Sequence, residues 1–117
     1  MPKQVPGEPY IRISVDEASQ WYDDDSVTFI DVRRADEYLE GHIKGALFIT
    51  VDDVLSRIDE LPEDDKLLFI CAAGVRSGLA CEMAAAMGLE SDRLFNIEEG
   101  TETWINKGYP TSKGSDL

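Results

Sequence analysis

Short apolar runs alternate along this chain with stretches that favour helix, and the alternation repeats about five times. The run 27–32, which is rich in β-branched residues, is typical of a buried strand. Because each helix between two parallel strands must pack back onto the sheet, the alternation predicts an α/β fold. We expect a mostly parallel, five-stranded sheet with helices on both faces. The expected strands cover residues 10–13, 27–32, 47–49, 66–70 and 93–97.

Helix signals occupy the intervals between the expected strands. Ser14 and Glu17 have the spacing of a capping box, in which each side chain bonds the backbone of the other residue, and they predict a helix after Ser14. Thr50 and Asp53 resemble a second capping box, which predicts a helix through Ile58. The remaining expected helices cover residues 35–39, 79–87 and 101–107.

The length of 117 residues fits one domain with one core. We expect a flexible leader over 1–9, the domain itself over 10–110 and a polar tail over 111–117. No apolar run approaches the ~20 residues that span a bilayer, and the polar, proline-bearing leader does not resemble a signal peptide. The expected location is therefore the cytoplasm, with no membrane partner.

The charge of the chain is strongly acidic. It has 24 acidic and 11 basic residues, a net charge of -13, and the acids are spread through every segment. This balance argues against a nucleic-acid partner, because contacts to a phosphate backbone need Lys and Arg. Two readings of the charge stay open: an ordinary acidic protein, or adaptation to high salt, where counterions screen the self-repulsion.

The segment from Cys71 to Ser77 has the strongest chemical signal in the chain. It follows the apolar run 67–70 and precedes an expected helix. A loop that closes onto a helix N-terminus points backbone N–H groups inward, where they hold anions and favour a thiolate over a thiol. Arg76 adds a permanent cation. We predict that Cys71 is the catalytic nucleophile. The expected substrate-binding residues are Ala72, Ala73, Gly74, Val75, Arg76 and Ser77.

The remaining cysteine and the single histidine have simpler predicted roles. Cys81 lies within an expected helix of small residues and is predicted to pack there. Two cysteines and one histidine are too few for a structural zinc site, and we expect no metal or other cofactor. Asp31 and Arg33 are predicted to support the pocket wall through an ion pair or loop hydrogen bonds. His42 is predicted to bond backbone in a turn.

Four motifs of the chain, taken from the N-terminus onwards, resemble those of the single-domain rhodaneses, a sulfurtransferase family. The resemblance runs from about residue 13 to 110, and one departure is Glu99-Gly100, where the family often has two glycines. We expect that departure to change the turn slightly and to place an acid near the pocket mouth. The motifs are Asp31-Val32-Arg33 with Glu37-Tyr38, the bridge 41–46, the loop 71–77, and a closing segment with Asn96, Gly100, Trp104, Gly108 and Pro110.

The resemblance implies a mechanism. Cys71 would attack the outer sulfur of a donor such as thiosulfate, and the resulting persulfide would pass its sulfur to a thiol, to cyanide or to a protein acceptor. The N–H groups of the loop would surround the anionic terminal sulfur. Arg76 would orient an anionic donor, bond loop carbonyls, or do both. This scheme needs no general-base histidine.

Three alternatives remain open from the sequence. A phosphatase or arsenate reductase also places a cysteine in an anion-binding loop that ends at arginine, but only four residues separate Cys71 from Arg76, fewer than such sites usually have. A non-enzymatic rhodanese-like module would not need the cysteine, which this chain keeps. A sulfur carrier that acts on a protein partner would use the same persulfide chemistry.

Overall fold

A mixed six-stranded sheet forms the centre of the computed structural model, which describes residues 1–115. In chain order the strands are β1 (Lys3–Gln4), β2 (Ile11–Ile13), β3 (Val27–Asp31), β4 (His42–Ile43), β5 (Leu47–Phe48), β6 (Lys66–Ile70), β7 (Leu94–Ile97) and β8 (Thr111–Ser112). The sheet order is β1-β2-β7-β6-β3-β5, and β4 pairs with β8 in a separate antiparallel ribbon.

The predicted parallel sheet is confirmed, with one strand more than expected. The five predicted strands correspond to β2, β3, β5, β6 and β7, and all of them run parallel. The sixth strand, β1, lies in the expected flexible leader and pairs antiparallel with β2. An edge strand forms backbone hydrogen bonds along one side and need not bury its side chains. The polar residues of β1 therefore show no apolar alternation that would predict a strand. Residues 116 and 117 of the expected tail lie outside the described residues.

Four helices connect the strands: α1 (Val15–Gln20), α2 (Ala35–Glu40), α3 (Val75–Ala86) and α4 (Thr101–Asn106). The predicted capping box at α1 is confirmed, because Ser14 Oγ accepts from the Glu17 N–H at 3.1 Å and Glu17 Oε1 accepts from the Ser14 N–H at 2.9 Å. No helix within residues 1–115 combines the length and the apolar character needed to cross a membrane.

The helix predicted over 50–58 is wrong. Two short 3-10 helices, Val51–Asp53 and Ile58–Glu60, lie in this region instead. The Thr50 hydroxyl donates to the Asp53 carboxylate at 3.1 Å, so the two side chains bond each other and neither caps a backbone N–H. The predicted start of α3 is also late, because the helix begins at Val75 and its first turn includes Arg76 and Ser77.

Successive residues of β6 point to opposite faces of the sheet and bury two separate clusters. Leu67 and Phe69 pack with Ala80 and Ala84 of α3. Leu68 and Ile70 pack on the other face, with Val15 and Ala18 of α1 and Trp104 of α4. This alternation of side chains along a strand covers both faces with helices, as predicted.

The parallel arrangement brings three loops to one edge of the sheet. Asp31 at the end of β3 pairs with Ile70, and Ile70 pairs with Ile97 at the end of β7. The segments that follow these strands, 32–34, 71–74 and 98–100, therefore leave the sheet side by side. This is the carboxyl edge, where open α/β sheets hold their ligands.

Candidate active site

Cys71 lies directly after β6 and is the first residue of the loop that joins this strand to α3. Its Sγ accepts a hydrogen bond from the Gly74 N–H at 3.1 Å and lies 3.2 Å from Ser77 Oγ. The residue is only 1% exposed. The thiol thus contacts hydrocarbon on one side and hydrogen-bond donors of its own loop on the other.

Gly74 gives the loop its curvature. Its φ of +87° lies in the left-handed region, and a Cβ there would stand 2.7 Å from the carbonyl oxygen of Glu98. Asn96 Nδ2 donates to the Gly74 carbonyl at 3.0 Å and fixes the turn from β7. The backbone N–H and the hydroxyl of Thr101 both donate to the Cys71 carbonyl, at 3.0 and 3.1 Å. The loop is therefore held by the segment that follows β7.

A chain of side-chain hydrogen bonds runs from Cys71 through Ser77 to Asn96. The Ser77 hydroxyl donates to Asn96 Oδ1 at 2.6 Å, so in this arrangement the thiol proton of Cys71 points at Ser77 Oγ. When the thiol ionises, the hydroxyl proton of Ser77 can turn from Asn96 to Sγ. The buried Ser77 is thus a donor that becomes available when the thiolate forms.

The surroundings of Cys71 lower the pKa of its thiol. Burial raises this pKa, but hydrogen bonds from the Ser77 hydroxyl and from the N–H groups of Ser77, Ala73 and Gly74 together outweigh burial. The net direction is towards the thiolate, which is the nucleophilic form of cysteine.

Arg76 is engaged by a glutamate. Its two terminal nitrogens donate to the two carboxylate oxygens of Glu37 at 2.6 and 2.9 Å, which joins the first turn of α3 to α2. The pair lowers the pKa of Glu37 to about 2, chiefly through the hydrogen bonds from Arg76, and raises the pKa of Arg76. The Arg76 guanidinium therefore bonds a carboxylate. The sequence analysis predicted that it would orient an anionic sulfur donor, bond loop carbonyls, or do both.

The three residues predicted as structural support are buried, and one of them, Arg33, lines a cavity beside Ala72. Arg33 pairs with Asp31 at 2.8 Å and donates to the Gly41 carbonyl at 2.7 Å, which ties the segment after β3 to the end of α2. His42 Nδ1 lies 2.9 Å from the Tyr38 carbonyl oxygen, and its ring stacks on the Tyr38 ring at 3.7 Å between centroids.

Sequence reasoning left three contributors to the site without a role. Glu37 and Asn96 entered only as motif members, and Thr101 was not singled out. An asparagine inside a strand that is otherwise apolar was a usable signal for Asn96, because a buried amide needs hydrogen-bond partners. Cys81 is buried, its Sγ lies 3.6 Å from the Phe95 carbonyl oxygen, and burial raises the pKa of its thiol well above the usual value.

Two cavities flank the loop. One, of about 340 Å³, reaches Ala72 from the side of α2 and α4. The other, of about 740 Å³, reaches Ala73 and Gly74 from the side of β2 and β7. Within residues 1–115 no group of three or more His, Cys, Asp or Glu side chains is arranged to hold a metal ion.

Comparison with known proteins gives one consistent picture. A family model described as the rhodanese-like domain matches residues 14–107. YrkF of Bacillus subtilis, a proposed sulfur carrier protein, is 33% identical over 97 residues, which are 82% of this chain and 51% of YrkF. This chain therefore spans about half the length of YrkF. A sulfurtransferase of Allochromatium vinosum is 30% identical over 88 residues, 75% of this chain and 80% of that protein.

A solved structure extends the comparison to the fold. The crystal structure of a rhodanese-like domain protein from Staphylococcus aureus matches with a TM-score of 0.75 at 27% identity, over 89% of this chain and 98% of that one.

Proposed function

The chain belongs to the rhodanese-like domain family, and we propose on that premise that it is a sulfurtransferase that carries sulfane sulfur as a persulfide on Cys71. The observation that carries the proposal is the loop geometry around Sγ. A thiol whose pKa is lowered by the Ser77 hydroxyl and three backbone N–H groups, against the effect of burial, is suited to nucleophilic attack.

The proposed loading step uses a donor such as thiosulfate. The Cys71 thiolate attacks the outer sulfur, an Sγ–S bond forms, the S–S bond of thiosulfate breaks, and sulfite leaves with the electron pair of that bond. The terminal sulfur of the persulfide then carries the negative charge. The N–H groups of the same loop, among them that of Gly74, which bonds Sγ, would stabilise this anion.

In the proposed discharge step an acceptor removes the terminal sulfur. Cyanide or a thiolate attacks that sulfur, the Sγ–S bond breaks, and Cys71 leaves as the thiolate. The stabilised thiolate is the better leaving group, so the same hydrogen bonds favour both halves of the cycle. No proton transfer to a histidine is needed, and the buried His42, stacked on Tyr38, plays no part in the scheme.

Intact-protein mass spectrometry tests the proposal directly. After incubation with thiosulfate we expect the protein to gain the mass of one sulfur atom, and cyanide should remove it. Cys71→Ser should abolish both the gain and the thiosulfate:cyanide transfer. Cys81→Ser is the matched control, since its sulfur is buried against Phe95, and it should load as the unmodified protein does. Sulfur uptake by Cys71→Ser would refute the proposal.

The alternatives are separated by two further assays. Turnover of an aryl phosphate would favour a phosphatase. Transfer of the persulfide sulfur to a protein thiol but not to cyanide would favour a sulfur carrier, which is the role proposed for YrkF.

We also propose a cytoplasmic location, because Cys71 and Cys81 are both free and a reducing compartment keeps thiols free.

A further inference from the structure

Two cavities that reach the Cys71 loop have acidic walls. The cavity at Ala72 is lined by three glutamates and one arginine: Glu37, Glu40, Glu102 and Arg33. The cavity at Ala73 and Gly74 is likewise lined by three glutamates and one arginine: Glu82, Glu98, Glu99 and Arg12. A reactant that enters through either of these two cavities meets an excess of negative charge.

The arginines of these walls are already paired. Arg33 bonds the buried carboxylate of Asp31. Arg12 donates to Glu8 at 2.8 Å and to Glu98 at 3.5 Å. Arg76, beside the loop, is held by both oxygens of Glu37. These guanidinium groups therefore attract an incoming anion less than free cations would.

Four of the acids form no ion pair within residues 1–115, although Glu99 accepts a hydrogen bond from the Val15 N–H at 2.7 Å and its charge helps to raise the pKa of Lys107. Across residues 1–115, no ion pair neutralises Glu40 or Glu102 at the first cavity, nor Glu82 or Glu99 at the second, and all four side chains are exposed. Unpaired charge along a cleft concentrates counterions there and repels ions of the same sign. These two cavities beside the Cys71 loop therefore favour cations.

We propose that the sulfur acceptor of this site is a thiol that carries, or lies beside, a positive charge. The proposal rests on the persulfide chemistry proposed above and names the class of its acceptor. The acceptor thiolate attacks the terminal sulfur of the Cys71 persulfide, the Sγ–S bond breaks, and the acceptor leaves as its own persulfide. The acceptor thiol proton goes to solvent, and the neighbouring positive charge draws the acceptor into the acidic cleft.

Three two-carbon thiols of the same length test the charge preference: cysteamine, mercaptoethanol and mercaptoethanesulfonate, which are cationic, neutral and anionic. Protein loaded with sulfur is mixed with each thiol, and the loss of the added sulfur is followed by intact mass. Each rate is divided by the rate of the same thiol with hydroxyethyl disulfide, which corrects for differences in thiol pKa. We expect the corrected rate for cysteamine to exceed that for mercaptoethanesulfonate about tenfold at low salt, and the ratio to approach one in molar salt.

Charge-neutral variants locate the effect. Glu40→Gln with Glu102→Gln should lower the corrected ratio about threefold if acceptors enter at Ala72, and Glu82→Gln with Glu99→Gln should do so if they enter at Ala73. Asp59→Asn with Glu63→Gln is the matched control. It removes the same net charge from a separate cavity near Gly88, and its ratio should equal that of the unmodified protein.

Two cysteine peptides, one with flanking arginines and one with flanking glutamates, distinguish a protein acceptor from a small-molecule acceptor. Faster discharge to the arginine peptide than to cysteamine assigns the acceptor to a protein with a basic surface, and the reverse order assigns it to a small molecule. Whichever order holds, discharge to the arginine peptide should be faster than discharge to the glutamate peptide, and the opposite result would overturn the charge class. Equal corrected rates for the three thiols, a faster anionic thiol, or an equal loss of preference in the control pair would overturn it. Failure of thiosulfate to load Cys71 in molar salt, where the repulsion of this anion is screened, would instead refute the underlying sulfurtransferase proposal.

Discussion

The guanidinium of Arg76 and the carboxylate of Glu37 face each other in a two-pronged contact, with N–O distances of 2.6 and 2.9 Å. Glu37 also accepts from the Arg34 N–H, so its carboxylate caps the start of α2 while it holds the first turn of α3. The contact therefore joins α2 to α3, the helix that follows the Cys71 loop.

We expect Glu37→Gln to change how stability depends on pH. The folded-state pKa of Glu37 is about 2, below its ordinary value of 4.5, so its ionised form stabilises the fold fully above pH 4.5. This contribution is lost as pH falls from 4.5 towards 2. Because the pair is partly exposed to solvent, we expect the variant to lose about 1–2 kcal/mol of unfolding free energy at neutral pH.

Urea unfolding at neutral and at acid pH measures this loss. The difference between Glu37→Gln and the unmodified protein should shrink as the pH falls through the window given above. Glu40→Gln is a suitable control, since Glu40 lies on the same helix, is exposed and has no cationic partner within the described chain. A constant difference at all pH values would show that the contact is not ionic.

We expect Ser77→Ala to raise the pKa of Cys71. The variant removes the hydroxyl hydrogen bond that favours the thiolate and leaves the effect of burial, which opposes it. Titration of the thiolate absorbance should show the rise, with Cys71→Ser as the blank. The rate of persulfide formation near neutral pH should fall about tenfold with the smaller thiolate fraction. An unchanged titration would mean that the Ser77 hydroxyl keeps donating to Asn96 and that the loop N–H groups alone lower the pKa of Cys71.

The parallel sheet, and the position of Cys71 at its carboxyl edge, could be predicted from local pattern alone. The run 27–32 is apolar and β-branched, and Cys71 follows a strand and precedes a helix, so the carboxyl edge was the natural place for the site. Strand β1 could not be found in this way, because Lys3 and Gln4 contribute backbone pairing and no buried side chain.

The partner of Arg76 was also beyond local reasoning. Glu37 lies 39 positions earlier in the chain, and only the packing of α2 beside α3 brings the two charges together. The same limit applies to Asn96, which reaches both Ser77 and Gly74 because β7 lies next to β6. Spacing within one segment carries no information on such contacts.

We expect stability to rise with salt. The net charge of -13 gives the folded chain a self-repulsion that counterions reduce. Thermal melting in low and in molar sodium chloride should show a Tm higher by about 5 °C in the salt, the shift that ~1 kcal/mol produces in a domain of this size. Sodium sulfate, which stabilises proteins in general, is avoided. Equal melting in both solutions would remove the case for adaptation to high salt.

Gly100 contacts the Cys71 loop so closely that any side chain at position 100 must displace the loop. A Cβ at this position would stand 1.9 Å from the carbonyl oxygen of Ala72, and the φ of +88° already disfavours other residues. We expect Gly100→Ala to cost about 3 kcal/mol or more of unfolding free energy, since it combines backbone strain with a backbone clash. It should also prevent persulfide formation, because movement of Ala72 moves the N–H groups that face Cys71.

Gly88→Ala separates the strain from the clash. Gly88 has a similar φ of +98°, but a Cβ there would meet nothing within 4 Å. Its cost should be about 1–2 kcal/mol, the strain of the left-handed conformation alone. Because Gly88 follows the C-terminal end of α3, far from the first turn that holds Arg76 and Ser77, the variant should still take up sulfur from thiosulfate. If the two variants unfold at the same urea concentration and load equally well, the contact between Gly100 and Ala72 does not shape the loop, and the support for Cys71 must come from Thr101 and Asn96.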